Sequence, residues 1–198
     1  MPVFDRFSGI PSALTPVRPS TFDPAQAVEA ILYIAERLKR PTVHEILKIC
    51  YFGDKQHMSL YGSTATGDDY FAMQWGPVAS ETYNLLKAAR GDEDRWVKAC
   101  YLPLVAGAFD VYDNKKVRAK RGARLDYLAE SARRAFDWAI QEYGDIDFRD
   151  RTASSHDGAW KRAWASKSSQ DGDRAVMLMV DIAGDLRNCP EVLEYLHS

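Results

Sequence analysis

Residues 46–86 read ILKICYFGDKQHMSLYGSTATGDDYFAMQWGPVASETYNLL, and this stretch says more about the fold than any other part of the chain. It predicts a helix whose apolar face is interrupted by Asp54 and His57, followed by a glycine break and a short aromatic strand over residues 70–75. The turn at residues 75–77 then predicts a second amphipathic helix, opened by Pro77. Helices around a short strand indicate an α+β protein that is mostly helical, with a helical core and a small antiparallel sheet or hairpin.

The first of these helices has an acid on its apolar face. An advance of about 100° per residue places Asp54 in the middle of that face and His57 near its edge. A buried carboxylate is costly unless it accepts hydrogen bonds, so Asp54 needs donors, and His57 or the amides of the Trp75-Gly76 turn are the candidates. The apolar face is predicted to contain Val43, Ile46, Leu47, Cys50 and Tyr61. The side facing water is predicted to contain Lys48, Lys55, Gln56 and Ser59.

The motifs in this stretch resemble those of the SocA-like, or Panacea, family of antitoxin domains. The matching residues are Tyr51, Phe52, Asp54 and His57, then Tyr61-Gly62, Thr66-Gly67-Asp68 and Gly76-Pro77-Val78. A weaker similarity covers residues 152–164, where His156 precedes a helix start that contains Trp160. The resemblance implies an antitoxin that acts by stoichiometric binding to a cognate toxin encoded beside it. It also implies an adaptor that delivers the toxin to a AAA+ protease of the ClpXP type.

A catalytic or metal-binding role for Asp54 and His57, completed by Asp68 and Asp69, is the alternative to a structural role. The chain contains no nucleophile motif, no glycine-rich phosphate loop and no His-Glu-x-x-His helix. Buried polar groups are usually paired for stability, so we favour hydrogen bonding over catalysis and predict a protein without enzymatic activity, metal or cofactor. The structural or partner-binding candidates are Tyr51, Phe52, Asp54, His57, Asp68, Trp75, Gly76, Pro77, His156 and Trp160. For Trp75 we favour core burial over contact with a partner.

A basic cluster follows in the second half of the chain. Its members are Lys115, Lys116, Arg118, Lys120, Arg121 and Arg124. A solvated hairpin face is the simplest interpretation. The alternative function is a nucleic-acid-binding regulator that uses residues 115–124, because phosphate contacts come mostly from lysine and arginine. Nearby acids dilute the field and the net charge is -2, so we favour a protein partner over nucleic acid.

The remaining chain predicts an N-terminal arm and one domain. Residues 1–22 contain four interrupting prolines and are assigned to the arm, while residues 23–198 are assigned to a single domain. Asp23-Pro24 predicts an N-cap, and Thr42 with Glu45 predicts a capping box. Further predictions are strands at 100–105 and 108–111, a turn at 113–114, a return strand at 115–121, a helix capped by Asp126, and helices at 159–165, 173–186 and 191–196.

Bulk composition favours a cytoplasmic protein. Three widely spaced cysteines argue against a disulfide framework and for a reducing compartment. No run of apolar residues approaches the ~18 needed to span a membrane, and the N-terminus does not resemble a secretion signal.

Overall fold

The computed structural model describes residues 22–168 and 172–197, and within them it confirms the predicted α+β, mostly helical class. The predicted arm lies outside the described residues except for Phe22. The helices are α1 (Pro24–Arg37), α2 (Val43–Tyr61), α3 (Ser80–Arg90), α4 (Tyr101–Ala106), α5 (Glu130–Tyr143), α6 (Phe148–Ser155), α7 (Gly158–Ser166), α8 (Met179–Gly184) and α9 (Cys189–His197). The strands are β1 (Tyr70–Met73), β2 (Gly76–Ala79), β3 (Phe109–Tyr112), β4 (Lys116–Ala119) and β5 (Arg174–Met177).

Helix α2 runs through the centre of the core. It begins with the predicted capping box, in which Thr42 and Glu45 satisfy each other's backbone amides. Every residue from Ile46 to Asp54 is buried, because α5 packs on one side of the helix and β2, α6 and α1 pack on others. The contact with α5 is close, since a side chain at Gly53 would overlap the ring of Phe136. The prediction that α2 is an amphipathic helix with one side facing water is therefore wrong for residues 46–54.

The three-stranded sheet has the order β2-β1-β5, and all its strands are antiparallel. In this register Phe71 stands between Val78 on β2 and Val176 on β5. Alternate residues such as Ala72 and Ala175 are buried on the side of the sheet that contacts α7. The sheet therefore has one face in the core and one outer face that contains Phe71, Val78 and Val176.

The two-stranded sheet is the predicted hairpin of β3 and β4. Its turn residues Asp113 and Asn114 both have positive φ angles, 48° and 59°, which Asn and Asp tolerate better than most residues. The hairpin is tied to the start of α2, where the amide of Val43 donates to the carbonyl of Lys115 at 2.8 Å.

Four predicted elements differ from the structure. Pro77 lies in strand β2, and the helix that it was expected to open begins at Ser80. Residues 101–106 form helix α4, in keeping with Pro103, which cannot donate in a strand ladder. Asp126 lies in a single 310 turn, Leu125–Tyr127, so α5 begins later than predicted. The helix predicted at 173–186 is strand β5 followed by α8, because residues 174–177 pair with β1.

Candidate protein-binding site

Asp54 is a buried acceptor of four hydrogen bonds. Its carboxylate accepts from the amides of Ala65 at 2.8 Å and Thr66 at 2.9 Å, from the Thr66 hydroxyl, and from the Tyr70 hydroxyl at 2.8 Å. Burial raises the pKa of Asp54, and these hydrogen bonds act in the opposite direction. The need for donors was predicted correctly, but their identity was wrong. His57 instead contacts the carbonyl of Ser63 and, at 3.1 Å, the hydroxyl of Ser131.

Asp68 holds the start of helix α3. The N-cap position of this helix is Ala79, which has no side-chain acceptor, and the Asp68 carboxylate accepts from the amides of Glu81 at 3.0 Å and Thr82 at 2.7 Å instead. Burial raises the pKa of Asp68 to about 6. Asp69 supports the start of α3 through its backbone carbonyl, which accepts a hydrogen bond from the amide of Ser80. No group of three or more metal-ligating side chains with the geometry of an ion site occurs in the described residues.

Tyr51 and Phe52 join α2 to the later helices. The hydroxyl of Tyr51 donates to Asp157 at 2.7 Å, and the Lys55 ammonium reaches the same carboxylate oxygen at 2.6 Å. Phe52 stacks on Tyr143 with ring centroids 3.7 Å apart. The structure therefore brings the motif residues of α2 into contact with α5 and with the loop before α7.

His156 and Trp160 form a stacked pair with centroids 3.6 Å apart and rings nearly parallel. His156 is the C-cap of α6 and precedes helix α7, which contains Trp160. The indole of Trp160 donates to the carbonyl of Met73 at 3.0 Å. This bond fastens α7 to the end of β1, next to the hairpin turn.

Lys48 lies under that hairpin. It was predicted to face water, but it is 1% exposed and its ammonium donates to the carbonyl of Pro77 at 2.6 Å. Gly76, at φ 96°, leaves the space that the Lys48 and Ser155 side chains occupy. Within the described part of the chain, Lys48 makes no ion pair. Burial lowers the pKa of Lys48 to about 7.

This lowered pKa predicts a specific dependence of stability on pH. Between about pH 7 and about pH 10 the unfolded chain holds a proton on Lys48 that the folded chain has released, so stability rises with pH in that window. We expect the unfolding free energy of the wild type, relative to Lys48→Met, to increase by about 2 kcal/mol from about pH 7 to about pH 9 in urea titrations. Lys39→Met, which removes an exposed lysine, should show no such change. A constant difference for Lys48→Met would contradict the assigned shift.

Trp75 stands at the tip of the hairpin between β1 and β2. It is 55% exposed, so the predicted core burial was wrong. Its ring makes an edge contact with Phe148, at 5.6 Å between centroids, and Phe148 in turn lies 4.4 Å from the ring of His44. Because Phe148 is also exposed, the two side chains form an aromatic surface beside the hairpin.

A groove begins beside Trp75 and continues along the outer face of the three-stranded sheet. It consists of three adjoining cavities of about 360, 700 and 510 Å³ that share lining residues, and we call it the outer groove. One wall is helix α3, from which Tyr83, Asn84 and Lys87 face the groove at helical spacing. The floor is formed by Phe71, Val78 and Val176, and the far end lies at Leu178.

The outer groove contains residues that the sequence did not identify. The most important are Asn84, Trp96, Arg174 and Val176. The only signal in the sequence was the apolar character of Phe71 and Val78, which is unusual for the outer face of an antiparallel sheet. The helix predicted from Pro77 onward hides this signal, because it does not place Val78 in a sheet.

The basic cluster is largely neutralised within the fold. Its ion pairs are Lys116–Asp113, Arg118–Asp110, Lys120–Asp110, Arg121–Glu29 and Arg124–Glu29. Burial tends to raise the pKa of Glu29, but hydrogen bonds from Arg121 and Arg124 outweigh it and hold the pKa at about 2. Among the six cations, Lys115 alone lacks an ion pair to the described residues. The cluster therefore presents much less free positive charge than its sequence indicates.

Comparison with known proteins identifies a family. Residues 46–161 match the family model described as antitoxin SocA-like, Panacea domain. No curated protein and no solved structure matches the chain. Within the described residues, no helix combines the length and apolar character that a membrane crossing requires. Because the family match covers more than half of the 198 residues and includes the motifs that surround Asp54, Asp68 and Gly76, the protein belongs to the SocA-like Panacea antitoxin domain family.

Proposed function

We propose that this protein neutralises a cognate toxin by direct, stoichiometric binding, and that the outer groove together with Trp75 is the toxin-binding surface. The observation that carries the proposal is the partly exposed apolar outer face of the sheet, in a protein of an antitoxin family. Antiparallel sheets usually turn polar side chains to water, whereas Phe71, Val78 and Val176 line a groove here. Contiguous exposed apolar surface is typical of protein interaction sites.

Trp75 and Trp96 strengthen this proposal. Both are exposed, and they line different parts of the outer groove. Tryptophan is enriched among the few residues that carry most of the binding energy at protein interfaces. Hydrogen bonds from Lys48 and Trp160 to backbone carbonyls hold the hairpin that carries Trp75. The hairpin is therefore ordered before a partner binds, which lowers the entropic cost of binding.

Binding without catalysis is supported by the state of the buried acids. Asp54 and Asp68 point into the fold, and their oxygens accept backbone and hydroxyl donors. A general acid or base needs an accessible position beside its substrate, and neither residue has one. We therefore propose a binding protein rather than an enzyme.

A nucleic-acid-binding regulator is the second candidate, based on residues 115–124. The ion pairs to Glu29, Asp110 and Asp113 weaken it, because cations that are already paired have less charge left for phosphate. The outer groove has more support as the functional surface.

Replacement of Trp75 by alanine is expected to weaken toxin binding by about 30-fold or more, the effect typical of an interface hot spot. Calorimetric titration with the purified product of the neighbouring reading frame would measure this loss. Tyr112→Ala is the matched control, since Tyr112 is an exposed aromatic residue on the β3–β4 hairpin and should leave the affinity unchanged. Equal affinities of wild type and Trp75→Ala would show that Trp75 is not part of the toxin interface.

Delivery of the bound toxin to a ClpXP-type protease is the finer part of this proposal, and it is supported only by the family resemblance. The test is the half-life of the toxin after translation is stopped, with and without the antitoxin and with and without the protease. A toxin whose half-life does not depend on the protease would limit the function to neutralisation by binding.

A further inference from the structure

The outer groove has the dimensions of a site for an extended chain. It runs parallel to the strands, from the Trp75 end of β1 to Leu178 after β5, with helix α3 as one wall. Helix α3 has 11 residues and is therefore about 16 Å long. An extended segment of about five residues covers that distance, since each residue of a strand advances about 3.3 Å.

The floor of the groove suits apolar side chains. Phe71 lies directly opposite Val78 on one neighbouring strand and Val176 on the other, so an apolar row crosses the sheet. Val176 is 60% exposed. An extended segment that runs along the groove crosses this row, so an inward-facing side chain can cover it while the alternate side chains point to water.

Asn84 supplies a polar group suited to a peptide backbone. The residue is only 6% exposed and lines both larger cavities, yet within the described chain its carboxamide makes no hydrogen bond. A carboxamide offers both a donor and an acceptor, which match the N–H and C=O of one residue in an extended chain. The polar atoms of this carboxamide open to the groove, where the backbone of a bound segment would replace their contact with solvent.

Arg174 supplies a positive charge in the middle of the groove. Its guanidinium lies 4.6 Å from the centroid of Phe71 and 4.3 Å from that of Trp96, and it forms no ion pair within the described residues. The other cations of this wall, Lys87 and Arg90, are bound to Asp94 and Asp92. Arg95 is a second lining cation that has no ion pair to the part of the chain that the structure describes. The remaining carboxylates of the lining are Asp69 and Asp173, which are exposed, and Glu81, which is paired with Lys98.

We infer that the outer groove binds an extended segment of the toxin, with apolar side chains over Phe71 and Val176, a backbone amide pair at Asn84 and a carboxylate at Arg174. This inference rests on the proposed function and specifies the chemistry of the partner. The carboxylate belongs to an aspartate, a glutamate or the chain terminus. Contact with two aromatic rings holds the guanidinium of Arg174 in the groove, and a guanidinium can bind such a group through two hydrogen bonds.

The test uses the full-length protein and 12-residue fluorescent peptides that tile the toxin sequence, with binding measured by anisotropy. One carboxylate-bearing peptide is expected to bind. Arg174→Gln and Asn84→Ala are each expected to weaken that peptide about tenfold, through loss of a charge-assisted and of a backbone hydrogen bond. Arg134→Gln, which removes an exposed arginine on α5, should have no effect. Arg174→Lys should restore only part of the affinity, because lysine keeps the charge and loses the planar fork.

The outcomes separate the inference from the proposed function. Intact toxin that binds wild type, Arg174→Gln and Asn84→Ala equally well would overturn the inference and leave neutralisation by direct binding standing, with Trp75→Ala as the separate test of the surface. A peptide that gains helical circular dichroism on binding would also overturn it. A wild-type protein that does not bind intact toxin would overturn both. Each variant must melt at the same temperature as the wild type for the affinities to be compared. If Asn84→Ala is unstable, the conservative variant Arg174→Lys still tests the groove.

Discussion

Replacement of Asp54 by alanine is expected to lower the free energy of unfolding by about 3–5 kcal/mol. The change removes the acceptor for the amides of Ala65 and Thr66 and for the hydroxyl of Tyr70, and these donors remain buried without a partner. The loop that Asp54 holds leads directly into β1. Disorder in this loop should therefore also disturb β1, which contributes Phe71 to the groove floor. Denaturant titration monitored by circular dichroism measures the loss.

Asp69→Ala is the matched control for this experiment. Asp69 is an exposed aspartate in the same loop, and its structural contact is made by its backbone carbonyl, which the substitution retains. Its replacement should change stability by no more than about 0.5 kcal/mol. If Asp54→Ala unfolded at the wild-type denaturant concentration but lost toxin binding, Asp54 would belong to the interface and not to the scaffold.

Replacement of Gly76 by alanine is expected to lower the free energy of unfolding by about 2–4 kcal/mol. Two costs combine at this position. The φ angle of 96° is unfavourable for any residue with a side chain, and the new Cβ would overlap Ser155 Oγ and lie 3.0 Å from both Cε and Nζ of Lys48. Since Lys48 and Ser155 are both buried, neither side chain can move away into water.

Gly91→Ala separates these two costs. Gly91 has a similar φ angle, 84°, but a Cβ added there would meet no atom within 4 Å. It should therefore show only the backbone cost, about 1 kcal/mol. The excess in Gly76→Ala reports the crowding beneath the hairpin, and Ser155→Ala in the same chain should recover part of it. Equal losses for Gly76→Ala and Gly91→Ala would show that the space beneath the hairpin is not tightly filled.

Local sequence signals predicted the ends of elements well. The N-cap at Asp23, the capping box of Thr42 and Glu45, and the turn at Asp113-Asn114 are all confirmed. Each depends on contacts between residues at most a few positions apart, so a short sequence window contains all the necessary information.

Predictions that depend on distant contacts were less successful. Helical periodicity assumes that a helix has one buried face. It predicts that Lys48 faces water because it contains no information on how many other elements pack around the helix. The assignment of Pro77 to a helix start failed for a related reason. The Gly-Pro sequence suits a helix N-terminus, but antiparallel pairing with β1 holds this segment as a strand. Conversely, Tyr61 was placed on the core face and is 45% exposed, at the end of α2.

The candidate site was only partly accessible to sequence reasoning. The family motif spans residues 51–78, and the structure places most of its residues in the scaffold of the hairpin and of α3. Val78 of the motif lies in the floor of the outer groove, and Trp75, which precedes the motif residue Gly76, is exposed beside it. Asn84 and Arg174 meet in the outer groove only because β5 pairs with β1 across about 100 residues of sequence. No spacing rule connects positions so far apart.

The arrangement of the indole rings has a practical consequence. Trp160 is stacked between His156 and Trp164, whereas Trp75 and Trp96 stand in solvent along the outer groove. Because an indole in water emits at longer wavelength than a shielded one, a chain bound in the groove would shift the intrinsic fluorescence toward the blue. The protein thus carries its own optical reporter of occupancy, and Trp75→Phe and Trp96→Phe would tell which end of the groove fills first.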